Sequence, residues 1–240
     1  MRRSVLAAGL VCLLVLPVAA QDVEKVTVYG GSLSGFWHVI QPSWLQMNLF
    51  GKVTWGPLID RICRIGHDHE GYDTHCYYQK GNGGSLEVDG SHFHLAWGTM
   101  MARMVYDGEV TSATAFQGHS GAKLMGITIT DPDISEGHKI ALDPAAPDTA
   151  GKAGLLRAVL NGEAVPHDPK LDEEIAAARG GQPGALRQII YLGRQDKGAG
   201  PTLAAVPDYF AVYAVESTDG ERLCWLHQDD DGKLAAFQCA

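Results

Sequence analysis

Positive charge is scarce in this chain. Lysine and arginine together number 19 against 28 aspartates and glutamates, a net charge of −9 with histidine neutral. Nucleic-acid binding needs many cationic contacts to phosphate, and docking on an anionic membrane surface needs a basic patch. The charge balance argues against both. An apolar run of bilayer-spanning length, about 20 residues, is also missing, since the longest one, Val5 to Val18, falls short. No phosphate loop, dinucleotide fingerprint or Gly-x-Ser-x-Gly elbow occurs. There is no internal repeat. Cysteine is rare, at five residues, and no two stand in the Cys-x-x-Cys spacing of a structural zinc site.

The start of the chain has a layout of its own. Met1-Arg2-Arg3 is basic, the apolar run follows, and Val18-Ala19-Ala20 is a small-residue exit before Gln21. Residues 1–20 are therefore expected to be a removable signal peptide. The product is then secreted or periplasmic, has no membrane span after processing, and loses Arg2 and Arg3, so 17 basic residues face 28 acidic ones, a net charge of −11. Cys12 is lost with the signal. Cys63, Cys76, Cys224 and Cys239 remain, an even number in an oxidising compartment, which favours two disulfides. Three pairings are possible, and the local one, Cys63–Cys76 with Cys224–Cys239, is preferred.

Asp-Gly dipeptides punctuate the chain between alternating apolar and polar residues. Both central positions of a type I′ turn need positive φ, so Asp-Gly between such segments signals a β-hairpin. Hairpins are expected at Asp89-Gly90, Asp107-Gly108, Asp219-Gly220 and Asp231-Gly232. Counting outward from Asp231-Gly232 sets Cys224 directly opposite Cys239, at a hydrogen-bonded position. The same count from Asp89-Gly90 sets Glu87 opposite His92 and Ser85 opposite His94. Successive hairpins make an antiparallel meander. The expected fold is mainly β: one domain over residues 21–240, an antiparallel up-and-down barrel or curved sheet. A partly helical insertion is expected at about 143–200, where Ala153–Leu160 and Leu171–Arg179 carry helix formers before Asn161-Gly162 and Gly180-Gly181.

Gly35-Phe36-Trp37 and Pro207-Asp208-Tyr209 resemble the lipocalin and wider calycin pattern, in which Gly-x-Trp opens the first strand and a Thr-Asp-Tyr-like turn leads into a later one. Pro207 stands where the family has Thr, and the two motifs lie further apart than the family places them. The resemblance implies an antiparallel barrel holding a small hydrophobic or amphipathic ligand, with an arginine packed over the tryptophan, for which Arg222 is the counterpart. Trp37, Phe93, Trp97 and Tyr209 are the candidate wall residues. Aromatics also dominate ordinary cores, and Trp37 plugging a barrel end fits that simpler reading.

Histidines supply the competing reading. In Ser91–Trp97, side chains alternate between faces, so Phe93, Leu95 and Trp97 point one way and His92, His94 and Ala96 the other. His92 and His94, with Glu87 or with His119 of the Gln117–Gly121 segment, make a candidate zinc set with an open position. The spacing resembles the strand-borne His-x-His and later His of carbonic anhydrase. The alternative function is thus an exported zinc enzyme acting on a small molecule. Catalytic motifs are otherwise lacking, and the leading expectation is ligand binding, with no cofactor and no catalytic residue. A third class is an envelope protein that pairs with a partner through a sheet edge.

Overall fold

A computed structural model describes residues 27–28, 31–42, 45–47, 53–68, 71–76, 84–98, 102–124, 127–180, 185–196 and 207–240. The expected signal over residues 1–20 lies outside the described residues. A short ladder of β1 (Thr27–Val28) and β2 (Gly31–Ser32) precedes β3 (Gly35–Pro42). A second two-stranded piece, β4 (Leu45–Met47) and β5 (Val53–Trp55), lies between β3 and β6 (Leu58–Asp68). There follow β7 (Gly71–His75), β8 (Gly84–Asp89), β9 (His92–Gly98), β10 (Ala102–Ser112), β11 (Ala115–Leu124) and β12 (Ile127–Lys139). Strands β3 and β6 to β12 each pair antiparallel with the next, and β12 pairs back onto β3 through Lys139↔Trp37 and Glu136↔Ile40. The fold is mainly β, with an eight-stranded antiparallel barrel, a form compatible with the calycin-like expectation.

Alternation decides which residues fill the barrel. Trp37, Val39, Ile65, Phe93, Leu95, Tyr106, Val110 and Phe116 are buried together inside it. At one end Phe116 meets Trp37 and Phe93 at 4.9 Å between ring centres, and Tyr106 packs against Phe93 and Phe116. Glycine makes room for these rings. A Cβ at Gly108 would stand 2.3 Å from the Phe93 ring, and one at Gly137 2.0 Å from Phe116.

That packing explains a correction. Asp107-Gly108 is not a turn but the middle of β10, paired with His94-Phe93 on one side and Gly118-His119 on the other. Gly108 is there for the ring it underlies, and the chain turns instead at Ala113-Thr114. The Asp89-Gly90 hairpin exists, but Gly90-Ser91 make its turn, with Gly90 at φ +62°. The register therefore moves along: Asp89 faces His92, Glu87 faces His94 and Ser85 faces Ala96. The Asp219-Gly220 hairpin likewise turns on Thr218-Asp219.

Beyond the barrel come α1 (Ala153–Leu160), a 3₁₀ turn over Pro169–Leu171 and α2 (Asp172–Arg179). Then β13 (Leu186–Asp196), β14 (Tyr209–Ser217), β15 (Gly220–Gln228) and β16 (Leu234–Cys239) form a separate four-stranded antiparallel sheet. The segment expected as a partly helical insertion thus holds both helices and also β13. One face of the second sheet, through Val212, Leu223 and Trp225, packs on Phe36 and Ile62 of the barrel exterior. The other face, through Tyr213, Val215 and Phe237, receives Leu156, Val159 and Ile175 from the helices. Buried Gln195 joins the layers, its Oε1 accepting from the Ile62 backbone N–H at 3.1 Å and from Trp225 Nε1 at 3.4 Å.

Cys63–Cys76 and Cys224–Cys239 are both disulfide-bonded. Cys224 stands opposite Cys239 as counted. The site is a non-hydrogen-bonded pair, however, because the adjacent Leu223 and Ala240 exchange both backbone bonds. A longer loop and an irregularity at His227 and Gln228 shift the pattern by one position. Among the described residues no helix is long and apolar enough to cross a membrane.

Candidate functional site

On the outside of the barrel, strands β8 to β11 carry two rows of polar side chains across the sheet. One row is Glu87, His94, Asp107 and His119, each facing the next; the other is Asp89, His92, Glu109 and Gln117. Alternation sends every one of them outward, because Phe93, Leu95, Tyr106 and Phe116 between them point into the core. Together they line a groove of about 610 Å³. His92, His94, His119 and Glu87, the four candidate metal ligands, all belong to it.

The groove owes its wall to an irregularity in β12. His119 faces Ile134 and Gly121 faces Thr130, so residues 131–133 stand opposite the single residue Ser120. A bulge of this kind bends the strand and re-aims its groups. Asp131 Oδ1 accepts the Asp133 backbone N–H at 3.1 Å and so braces it. Ile134 emerges exposed at the groove's rim.

Two of the imidazoles are oriented by their neighbours. His94 Nδ1 lies 2.5 Å from Asp107 Oδ1. His119 Nδ1 lies 3.2 Å from the Asp131 carbonyl oxygen and 3.3 Å from that of Asp133. Those oxygens only accept, so each Nδ1 carries a proton. His92 is exposed and sits two residues from His94 on the same face. His119 is not on the strand beside His94: Asp107 on β10 stands between them, unlike a His-x-His with its third imidazole one strand away. As the side chains stand, no three histidine, cysteine or carboxylate donors among the described residues meet at one point.

The candidate wall residues do not share one cavity. Trp37 and Phe93 are in the barrel core, and Trp37 Nε1 donates to the Leu33 carbonyl at 2.8 Å. Trp97 lies on β9, and its side chain falls outside the described residues. Tyr209 opens β14 in the second sheet, with the Arg194 guanidinium 4.1 Å over its ring and His227 against its edge. Arg222 is not over Trp37 either. It is on β15, where it donates to the Ala178 carbonyl at the end of α2. The cation over the Trp37 ring is Lys139, at 5.6 Å, supplied by the last barrel strand. Partial burial lowers the Lys139 pKa from its ordinary value, with Glu221 acting in the opposite direction.

Inside the barrel the lining changes along the axis. Further along β3 and β6 than the Trp37–Cys63 pair, Gln41 and Arg61 are only 1% and 4% exposed, and Thr74, opposite Ile65, is 1% exposed. All three follow the inward parity, Gln41 with Trp37, Arg61 with Cys63 and Thr74 with Cys76. Ser120 is buried nearby and pairs with Ser135 at 3.1 Å, while Tyr106 donates to the Ser135 carbonyl. Burial, aided by Glu136, raises the Tyr106 pKa strongly, so the phenol stays a neutral donor. None of this set was singled out in the sequence. The available signal was Arg61, a charge on the inward parity of an otherwise apolar strand. Asp107 and Glu109 were missed because Asp107-Gly108 reads as a turn.

No protein-family model matches the chain, and no curated protein matches it.

Proposed function

We propose that this is an exported protein that binds a small amphipathic molecule inside the barrel. The observation that carries the reading is the two-part lining. Trp37, Phe93, Tyr106 and Phe116 close one end with an apolar floor, and Arg61 and Gln41 are buried further along β6 and β3. A buried guanidinium can bind an anionic group, because desolvation strengthens a charge-assisted bond and the planar fork fits a carboxylate or phosphate. The ligand class is therefore an apolar body with an anionic head, seated on the aromatic floor with the head toward Arg61. The two disulfides support an oxidising compartment, hence export, and the Gly35-x-Trp37 opening of the first barrel strand supports the calycin-like reading.

The test is a titration with a fluorescent fatty-acid probe, followed by Trp37 quenching, beside the uncharged alcohol of the same chain length. Saturable binding that prefers the acid supports the proposal. In Arg61→Met, whose side chain keeps similar length and loses the charge, the preference for the acid should fall by about tenfold or more. Absence of saturable binding, or a preference unchanged in that variant, would sink it. A second reading, an exported metal-dependent enzyme, is favoured by His92, His94, His119 and Glu87 lining one groove. A metal there would supply an activated water as nucleophile.

A further inference from the structure

The barrel closes unevenly where β12 meets β3. Of the 13 residues in β12, only Glu136 to Lys139 pair with β3. The Ile140 backbone N–H donates to the Phe36 carbonyl at 2.8 Å, and hydrogen-bonded positions alternate along an antiparallel ladder. His138↔His38 and Glu136↔Ile40 are therefore the next two such pairs. The one after them would be Ile134 with Pro42, and a proline has no N–H to donate. Pairing between the two strands stops there. The bulge at residues 131–133, held by His119 and by the Asp131 carboxylate, then bends β12. Ile127–Thr130 and Ile134 pair with β11 and, among the described residues, with no second strand.

This parting has an apolar outer lip and a polar inner side. Of the four large apolar side chains exposed among the described residues, two flank it: Ile134 on β12 and Leu58, which stands opposite Pro42 on β6. Both point outward, Ile134 with His119 and Leu58 with Asp60. Next to Pro42, Gln41 turns inward and is buried, and buried Arg61 stands opposite Val39, the next inward position along β3. We infer that the amphiphile enters the barrel sideways between β12 and β3, its apolar chain crossing Leu58 and Ile134. The inference rests on the barrel-binding reading above and adds the route to that site. Elsewhere along the seam a molecule would have to break ladder bonds to pass, whereas at Ile134 the proline has left none to break. Leu58 and Ile134 offer apolar contact at the point where the chain leaves water.

The experiment is stopped-flow mixing of the fluorescent fatty-acid probe with the full chain, and displacement of bound probe by excess unlabelled acid. In Leu58→Glu/Ile134→Glu, two carboxylates stand on the lip. Association should slow by about tenfold and dissociation by the same factor, because a higher barrier on the path changes both rates and leaves the equilibrium alone. Measurement at high salt screens distant charge. Tyr209→Glu, an exposed site on the second sheet, should leave both rates as in the parent. Circular dichroism checks the fold, and Ile134→Glu alone reads the same two rates if the double variant is unfolded. Parent rates in a folded lip variant, slowed association with unaltered dissociation, or an equal slowing in Tyr209→Glu would each overturn the route. The barrel reading would still stand if Arg61→Met lowered the preference for the acid. No saturable probe binding in the parent would remove the barrel reading and the route together.

Discussion

His94 and Asp107 face each other across β9 and β10, with Nδ1 2.5 Å from Oδ1, on the outside of the barrel and half exposed. A pair in that setting contributes little to stability, at most about 1 kcal/mol, because water screens it and two mobile side chains must be ordered. Its effect is on the ring's tautomer. Asp107→Asn should leave the urea midpoint almost unchanged while releasing His94 from the Nδ1–H form. Long-range proton–nitrogen NMR correlations of the imidazole would read this directly. A large stability loss with an unchanged tautomer would show the pair to be structural.

The barrel floor should behave in the opposite way. Phe116 touches Trp37, Phe93 and Tyr106 and is 1% exposed. Phe116→Ala is expected to cost about 3–5 kcal/mol. Gly137→Ala should also destabilise strongly, since its Cβ would lie 2.0 Å from the Phe116 ring. His92→Ala, on the outer face, should stay within about 0.5 kcal/mol of the parent. Chemical denaturation of the three variants makes the comparison, and a large loss in His92→Ala would mean that the outer face is more tightly packed than its exposure indicates.

What was legible in the sequence followed from period and register. Strict alternation told inside from outside on Ser91–Trp97, where Phe93 and Leu95 are buried and His92 and His94 line the outer groove. Counting from Asp231-Gly232 placed Cys224 against Cys239. The failures share a cause in packing between distant residues. Asp107-Gly108 has turn chemistry, but its glycine is needed beneath the Phe93 ring, and no local pattern reveals that ring. The bulge at residues 131–133 depends on how β12 meets β11, so the clamp on His119 was unreadable. Tyr209 and Arg222 were referred to the barrel by a motif resemblance, whereas β14 and β15 belong to a second sheet. Ile62 and Phe36 look like ordinary strand residues until that sheet covers them.

The disulfide between Cys224 and Cys239 spans a separation of 15 residues at the edge of the second sheet. In the chain-entropy account, closing a loop of that length in the unfolded state stabilises by about 3 kcal/mol. Replacing both cysteines by serine should lower stability by roughly that amount and leave the barrel's own bond, Cys63–Cys76, intact. Peptide mapping without reduction checks the pairing, and thermal unfolding checks the cost. A cross-linked Cys63–Cys239 peptide would defeat the local scheme.

The pH response should come from the contact between the helices and β16. His167 Nδ1 lies 2.7 Å from the Val165 carbonyl oxygen, and Nε2 lies 2.7 Å from Asp172 Oδ1 at the start of α2. Both partners accept, so both ring nitrogens donate, and only the doubly protonated imidazolium does that. The His167 pKa is accordingly raised, first by the Val165 carbonyl and then by Asp172. A pKa higher in the folded than in the unfolded state means that the folded state binds the proton more tightly. The resulting stability is fully present below the ordinary histidine range, and it is lost as pH rises through that range and past the raised folded value. The site joins the helices to β16, because the Asp168 backbone N–H donates to the Leu234 carbonyl and the Leu234 N–H to Pro166. The loss should therefore loosen the docking of α2 on the second sheet and leave the barrel unaffected. Melting temperatures of the parent and of His167→Gln, taken between pH 5.5 and 8, should converge at the alkaline end and separate at the acid end, with the parent higher. Parallel profiles across the range would show that His167 does not carry the dependence.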